Sequence, residues 1–190
     1  MEKKVLAFLA PGFEEVEAVT PVDYLRRAGV TVTVAAIGTE KTVTGSHGIG
    51  IMADTTIAEL EDAGIFNAQS WDGVFVPGGM PGASNLASCA KAGAFFTEMN
   101  KAGKIIAAIC ASPAVFLSPL GLLEGKKFTC YPGLEKKVSG GTWLPDRVVT
   151  DENLITSRAA GTTVYFALAL IEKLAGKEAA EKLAEAAMLQ

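Results

Sequence analysis

Three short runs of apolar residues, Val5–Ala10, Val74–Val76 and Ile105–Ile109, each end abruptly in a turn of small residues. Those turns are Pro11-Gly12, Pro77-Gly78-Gly79 and Cys110-Ala111. Runs this brief and this uniformly apolar read as strands buried on both faces, a burial found in parallel sheets covered by helices. The rest of the chain supplies the covering layers. After the strand Lys4–Ala10, helical spacing runs over Glu14–Ala28 and stops at Gly29. Val30–Ile37 is β-branched and strand-like, and Gly38–Asp54 is a glycine-rich excursion with the marks of a hairpin. A weak helix is predicted over Thr55–Ala63, a strand over Asp72–Val76, and a helix over Asn85–Ala102 closed by Gly103. After the strand at Ile105, Pro113 opens a further helix that Pro119 would end early. Strands at Phe128–Tyr131, Arg147–Thr150 and Asn153–Ser157 precede two closing helices, Gly161–Ala175 and Lys177–Leu189.

Such alternation implies an α/β fold, with a mostly parallel sheet and helices on both faces. No linker, repeat or low-complexity stretch divides residues 1–190, so one domain is expected. Sheets of this kind carry their sites in the crevice beyond the carboxyl ends of the strands. All three small-residue turns fall at that rim.

Composition narrows the function classes. The chain has 190 residues, 49% hydrophobic and 20% charged, with a net charge of −4. It is globular, and it has no Lys/Arg cluster to follow a phosphate backbone, so no nucleic-acid partner is expected. Ile105–Leu123 is free of charge and long enough to span a bilayer, but Pro113, Pro119 and Gly121 interrupt it. No membrane partner is expected. The three cysteines, Cys89, Cys110 and Cys130, form no disulfide framework, which points to a reducing, cytoplasmic setting. With one histidine, His47, no His/Cys metal spacing is present. Walker and dinucleotide fingerprints are absent too, so neither metal nor cofactor is expected.

Cys110 is the first candidate nucleophile. A strand that breaks into a helix aims backbone N–H groups at the turn, which favours an anion. Helix N-termini lower a cysteine pKa from about 8.5 to between about 3.5 and 7.5. Glu17 is the second candidate. On its helix the neighbours at three, four and seven positions on are Thr20, Pro21 and Tyr24, so its carboxyl faces little charge. Desolvation there would raise its pKa and let it hold a proton near a thiolate. The alternative is a solvated glutamate in an acidic first turn with Glu14 and Glu15. The N–H groups of Gly79 and Ala111 are candidate oxyanion donors, although Gly79 serves equally well as a plain turn residue. Cys89, placed mid-helix, and Cys130, placed in a strand, read as small apolar residues.

These residues resemble a known family. Ala107-Ala108-Ile109-Cys110-Ala111-Ser112-Pro113 together with Gly12-Phe13-Glu14-Glu15-Val16-Glu17-Ala18 is similar to the ThiJ/PfpI superfamily, in the branch of the Parkinsonism-associated deglycase. Further matches are Pro21-Val22-Asp23, Arg26-Arg27-Ala28-Gly29, Val76-Pro77-Gly78-Gly79, Thr156-Ser157-Arg158, Gly161-Thr162 and Phe166-Ala167-Leu168-Ala169. The resemblance implies a flavodoxin-like three-layer sandwich and a homodimer. It also implies a reactive, easily oxidised Cys110, a Glu17 carboxyl bonded to it, and Gly79 and Ala111 as donors. The activities implied are cofactor-free conversion of methylglyoxal or glyoxal to a hydroxy acid, or deglycation of their adducts. Redox sensing and stress protection without catalysis form the alternative. The chain departs from the family where many members carry a histidine after the cysteine, a position occupied here by Tyr131. His47 precedes the nucleophile, and in related dimers its segment can approach the partner's site.

Overall fold

The computed structural model describes residues 2–189. In chain order the elements are β1 (Lys4–Leu9), α1 (Glu15–Arg27), β2 (Thr31–Ala36), β3 (Thr42–Thr44), β4 (Gly50–Met52), β5 (Thr55–Thr56), α2 (Ile57–Asp62) and β6 (Gly73–Val76). They continue with α3 (Gly82–Ala87), α4 (Ala90–Lys101), β7 (Ile105–Ile109), β8 (Lys127–Phe128), β9 (Thr142–Trp143), β10 (Val148–Asp151), β11 (Leu154–Ser157), α5 (Thr163–Ala175) and α6 (Lys177–Ala186). Seven strands form the central sheet in the order β10-β11-β7-β6-β1-β2-β5. Every neighbouring pair is parallel except β10 with β11. The architecture is the mostly parallel α/β sheet expected from the alternation of apolar runs and helices, and the flavodoxin-like sandwich that the resemblance implies.

Strand pleating sorts the core into two halves. Leu6 and Phe8 of β1, Val74 and Val76 of β6, and Ile106 and Ala108 of β7 point to one face. There they meet Ile57 and Leu60 of α2 and Phe95, Phe96 and Met99 of α4. Val5, Ala7 and Leu9, with Phe75, Ile105, Ala107 and Ile109, point to the other. That face is covered by Ala18 and Leu25 of α1, by Phe166, Leu170 and Ile171 of α5, and by Leu183 of α6. A period of two along each strand therefore builds the three layers directly.

Local chemistry sets the element ends. The Glu14 carboxylate caps α1 by accepting from the Glu17 N–H at 2.7 Å. Thr56 and Glu59 form a reciprocal capping box that starts α2. The excursion at 38–54 is a hairpin, β3 antiparallel to β4.

The structure corrects three expectations. The single helix over Asn85–Ala102 is two helices, α3 and α4, and Cys89 is the residue before the second rather than a mid-helix residue. Ser88 turns its hydroxyl back to the Ser84 carbonyl at 3.0 Å, the local bonding that makes serine a poor helix interior. The strand over Phe128–Tyr131 shrinks to Lys127–Phe128, with Cys130 beyond its end. The later N–H groups are used elsewhere: Thr129 donates to Thr156 Oγ1 at 2.9 Å and Tyr131 donates to the Cys110 carbonyl at 2.8 Å. The helix opened by Pro113 is one wide π-type turn, Pro113–Leu117, followed by a tight 3₁₀ turn, Ser118–Leu120. Pro119 has no N–H to continue the ladder, and Gly121 closes the segment at φ +72°.

That irregular segment depends on packing rather than on helix bonds. Phe116 sits edge-on to Phe96 of α4, with centroids 4.9 Å apart and an interplanar angle of 84°. Phe96 is fully buried. Phe96→Ala is expected to destabilise the protein by about 3–5 kcal/mol in urea unfolding, because cavity and transfer terms both apply. A loss below about 1 kcal/mol would show that the segment after Cys110 holds itself.

Candidate active site

Three strand ends meet at the carboxyl rim of the sheet: the turns after β1, β6 and β7. They are tied to one another by hydrogen bonds between backbone groups and one hydroxyl. Glu14 N–H donates to the Gly78 carbonyl at 3.0 Å, and Gly82 N–H donates to the Gly12 carbonyl at 3.0 Å. The buried Ser112 hydroxyl donates to the Pro77 carbonyl at 2.5 Å. The cluster leaves no room for side chains at its centre. A Cβ on Gly78 would stand 2.6 Å from Cys110 Cβ and 2.9 Å from Glu17 Oε2. A Cβ on Gly79, itself at φ +86°, would stand 2.4 Å from Glu14 N. Glycine is required at both.

Cys110 occupies the sharpest point of the rim. Its φ is +65°, the left-handed region that a side chain enters only when the surroundings impose it, at an order of 1–3 kcal/mol. Two backbone bonds hold it there: its N–H donates to Ser157 O at 3.0 Å, and its carbonyl accepts from Tyr131 N–H. The sulfur is presented to a small open pocket of about 260 Å³ lined by Gly79, Met80, Cys110, Ala111, Tyr131 and Leu134. The backbone N–H groups of Gly79 and Ala111 lie near enough to the sulfur to favour its ionised form.

Glu17 lies beneath Cys110 on the first turns of α1 and is wholly buried. Its Oε2 accepts from Gly78 N–H at 2.8 Å. Its Oε1 is buried with no hydrogen-bond partner, and the Cys110 thiol and the Glu14 carboxylate are its titratable neighbours. Burial raises Glu17 to about 7; the Gly78 and Cys110 bonds offset only part of that. The solvated-glutamate alternative is thereby removed. Cys110 differs from the expectation of a thiol lowered by the turn. Burial first, and then the charge of an ionised Glu17, push it up to about 12, outweighing the N–H groups of Gly79 and Ala111. Two anions do not form side by side here. The pair sheds a first proton near pH 7 and keeps the second far into the alkaline range.

Cys110, Glu17, Gly79 and Ala111 thus come together as the sequence suggested. His47 does not line this pocket. It projects from the β3–β4 loop with its side chain 70% exposed and its Nδ1 2.9 Å from Glu15 Oε2. Glu15 is buried and also accepts from His47 N–H at 2.8 Å. Burial opposes its ionisation, but the hydrogen bonds from His47 and Ile49 prevail and hold it at about 2. Bonding to that carboxylate raises His47 in turn. Sequence reasoning missed Gly78 as the amide that anchors Glu17, and Met80 and Leu134 as pocket walls. The double glycine after β6 was the available signal for the first; nothing local marks the other two.

The chain matches the DJ-1/PfpI family model over residues 3–173. It belongs to the DJ-1/PfpI family. Protein DJ-1 homolog B of Arabidopsis thaliana is 41% identical over 179 residues, 94% of this chain and 40% of that protein. Homolog A of the same plant is matched over 46% of its length, so the chain spans less than half of these two relatives. Protein dj-1beta of Drosophila melanogaster is 38% identical, covering 97% of this chain and 96% of the relative. Its crystal structure superposes with a TM-score of 0.92 over 100% of both chains, at 37% identity. A Caenorhabditis elegans relative, 34% identical over 96% of this chain and 94% of its own, is named glutathione-independent glyoxalase DJR-1.2.

The raised pKa of Glu17 has a stability consequence. A carboxyl raised from 4.5 to about 7 takes up a proton on folding, so its contribution is full below pH 4.5 and is lost as pH rises through 7. Above pH 7 the deficit amounts to about 3 kcal/mol at most. Glu17→Gln removes the titration while keeping the acceptor for Gly78 N–H. The variant is therefore expected to gain stability over wild type progressively from pH 5 to 8 in urea melts. A pH-independent difference would show that Glu17 is not raised.

Proposed function

We propose that this protein is a cofactor-free glyoxalase, acting on methylglyoxal or glyoxal through Cys110, with deglycation of their early adducts as the same chemistry on a larger substrate. The observation that carries the reading is a wholly buried carboxyl, poised near pH 7, in contact with a half-buried sulfur that opens to a pocket. The name of the Caenorhabditis elegans relative supports the same reaction class.

The reaction needs a nucleophile and one group that both takes and returns a proton. The Cys110 sulfur bonds to the aldehyde carbon as the C=O π bond opens. The thiol proton passes by way of Glu17 to the new oxygen and gives a hemithioacetal. The Gly79 and Ala111 amides lie beside the sulfur, where negative charge develops. The Glu17 carboxylate then removes the proton from that carbon, the electron pair forms a C=C bond with the neighbouring carbon, and the hemithioacetal hydroxyl proton passes to the former ketone oxygen as the C–O bond of the thioester carbonyl forms. Returning the proton to the neighbouring carbon leaves a thioester bearing an α-hydroxyl. Water cleaves the thioester, releasing the hydroxy acid and restoring the thiol. The aldehyde carbon is oxidised and the ketone carbon reduced within one molecule, so no external reductant is required.

Cys110→Ser should abolish lactate formation from methylglyoxal, by at least 10³-fold in kcat/KM, since a serine hydroxyl is a far weaker nucleophile at its ordinary pKa. Turnover retained by a clean serine variant removes Cys110 as nucleophile. The redox-sensor alternative predicts instead selective sulfinate at Cys110 after mild peroxide, with no dicarbonyl turnover.

We also propose a homodimer. Val19 on α1 and Met52 on the hairpin are 51% and 77% exposed, next to Val16 and Ile49 at 48% and 58%. Met52→Glu is expected to halve the mass measured by analytical ultracentrifugation; an unchanged mass places the interface elsewhere.

A further inference from the structure

The pocket over Cys110 is walled almost wholly by apolar side chains, and this bears on which carbonyl compounds it accepts. Met80 and Tyr131 are 56% and 49% exposed, an unusual exposure for two large side chains facing one small depression. Leu134 completes the wall and packs against the buried core. None of the six lining residues carries a formal charge. The polar functions these residues carry are the sulfur, their backbone amides and the Tyr131 hydroxyl.

One turn delivers two of the walls. Leu134 N–H donates to the Tyr131 carbonyl at 3.1 Å, closing Tyr131-Pro132-Gly133-Leu134. Proline second and a glycine at φ +93° third are the pattern of a type II turn, which fixes the spacing of the ring and the leucine. The turn is in turn fixed to the nucleophile, because Tyr131 N–H donates to the Cys110 carbonyl at 2.8 Å. The backbone that carries the ring is thus tied to the nucleophile rather than to a loose loop.

We propose that Met80, Tyr131 and Leu134 form a subsite for the non-reacting end of the substrate, and that it selects aryl or branched-alkyl 2-oxoaldehydes over glyoxal. This inference rests on the glyoxalase reading for its reaction and on the pocket walls alone for its selectivity. Glyoxal has only hydrogen on its second carbonyl and leaves the three walls in water. A phenyl group covers them, and aromatic pairing with Tyr131 adds to the buried area. A charged group would face a wall with nothing to pair it. Tyr131 acts here as a specificity-determining residue through its ring, so phenylalanine should replace it.

Two measurements test the subsite, one of them independent of turnover. In the first, the rate of Cys110 alkylation by iodoacetamide is compared with that by its N-phenyl derivative, using glutathione as the reference thiol. Wild type is expected to favour the phenyl reagent about tenfold more than glutathione does, Tyr131→Phe to keep that preference, and Tyr131→Ala to lose most of it. In the second, the kcat/KM ratio of phenylglyoxal to glyoxal should exceed about ten and fall in parallel in Tyr131→Ala. If wild type shows no more phenyl preference than glutathione, or if Tyr131→Ala keeps it, the subsite is overturned, whatever the turnover. If the preference is present but no dicarbonyl is consumed, the subsite stands and the glyoxalase reading alone falls. Should Tyr131→Ala fail to fold, Leu134→Ala carries the same expectation, and the wild-type ratio already decides.

Discussion

A carboxyl and a thiol are buried together with one proton between them, and most of the rim is built to keep them so. Glu17 has one fixed donor, the Gly78 amide, and two titratable neighbours, Cys110 and Glu14. Withdrawing a carboxyl from water raises it to about 7, and the ionised carboxyl then holds the sulfur in its protonated form. The charge of the pair is therefore a joint property. A group that is half ionised near neutral pH exchanges protons in both directions with little driving force either way, which suits a reaction that removes a proton from one carbon and returns it to the next.

This arrangement constrains the backbone more than the side chains. Gly78 must lack a Cβ, or it would collide with both members of the pair it holds. Gly79 must lack one to let the turn after β6 press on the start of α1, whose first residues place Glu17. Cys110 must take a left-handed φ to leave β7 and still present its sulfur. Its strain is borne by the parallel ladder behind it, where β7 is hydrogen-bonded on one side to β6 and on the other to β11. A rigid central strand is what makes a strained residue at its end tolerable.

The layer order was legible because its cause is local. Uniformly apolar runs such as Val5–Ala10 and Ile105–Ile109 can be buried on both faces only inside a covered sheet. The partnership of Glu17 with Cys110 was foreshadowed by the uncharged stripe around Glu17, yet periodicity alone left a solvated carboxyl equally open. What decided the matter was its complete burial beneath the rim, where its one hydrogen-bond donor, the Gly78 amide, lies 61 residues away in sequence. The direction of the Cys110 shift was not legible, for a related reason. The helix-terminus argument sees the amides of Gly79 and Ala111 but not the depth of burial or the charge beneath. The break at Ser88-Cys89 and the short β8 were lost because the competing hydrogen bonds, to Ser84, Thr156 and Cys110, are specific contacts that no propensity encodes. His47 remained ambiguous for want of its partner; Glu15, 32 residues earlier, claims its ring nitrogen.

Tyr131 bears on the reaction as well as on selectivity. A histidine at that position would give the site a second proton carrier, of the kind that amide hydrolysis uses to protonate the leaving amine. A tyrosine offers no ring nitrogen to accept and return a proton in that way. The work of acid and base then falls to Glu17 alone. Isomerisation of a hemithioacetal tolerates this, because the proton removed from one carbon is the proton delivered to its neighbour, and the carboxyl ends the step in the state in which it began. Cleavage of an amide does not, since the leaving amine needs a proton that the attacking water does not deliver to the same place. A buried carboxyl beside a sulfur, under an apolar wall, is therefore better matched to moving a proton within a small carbonyl compound than to breaking a peptide bond.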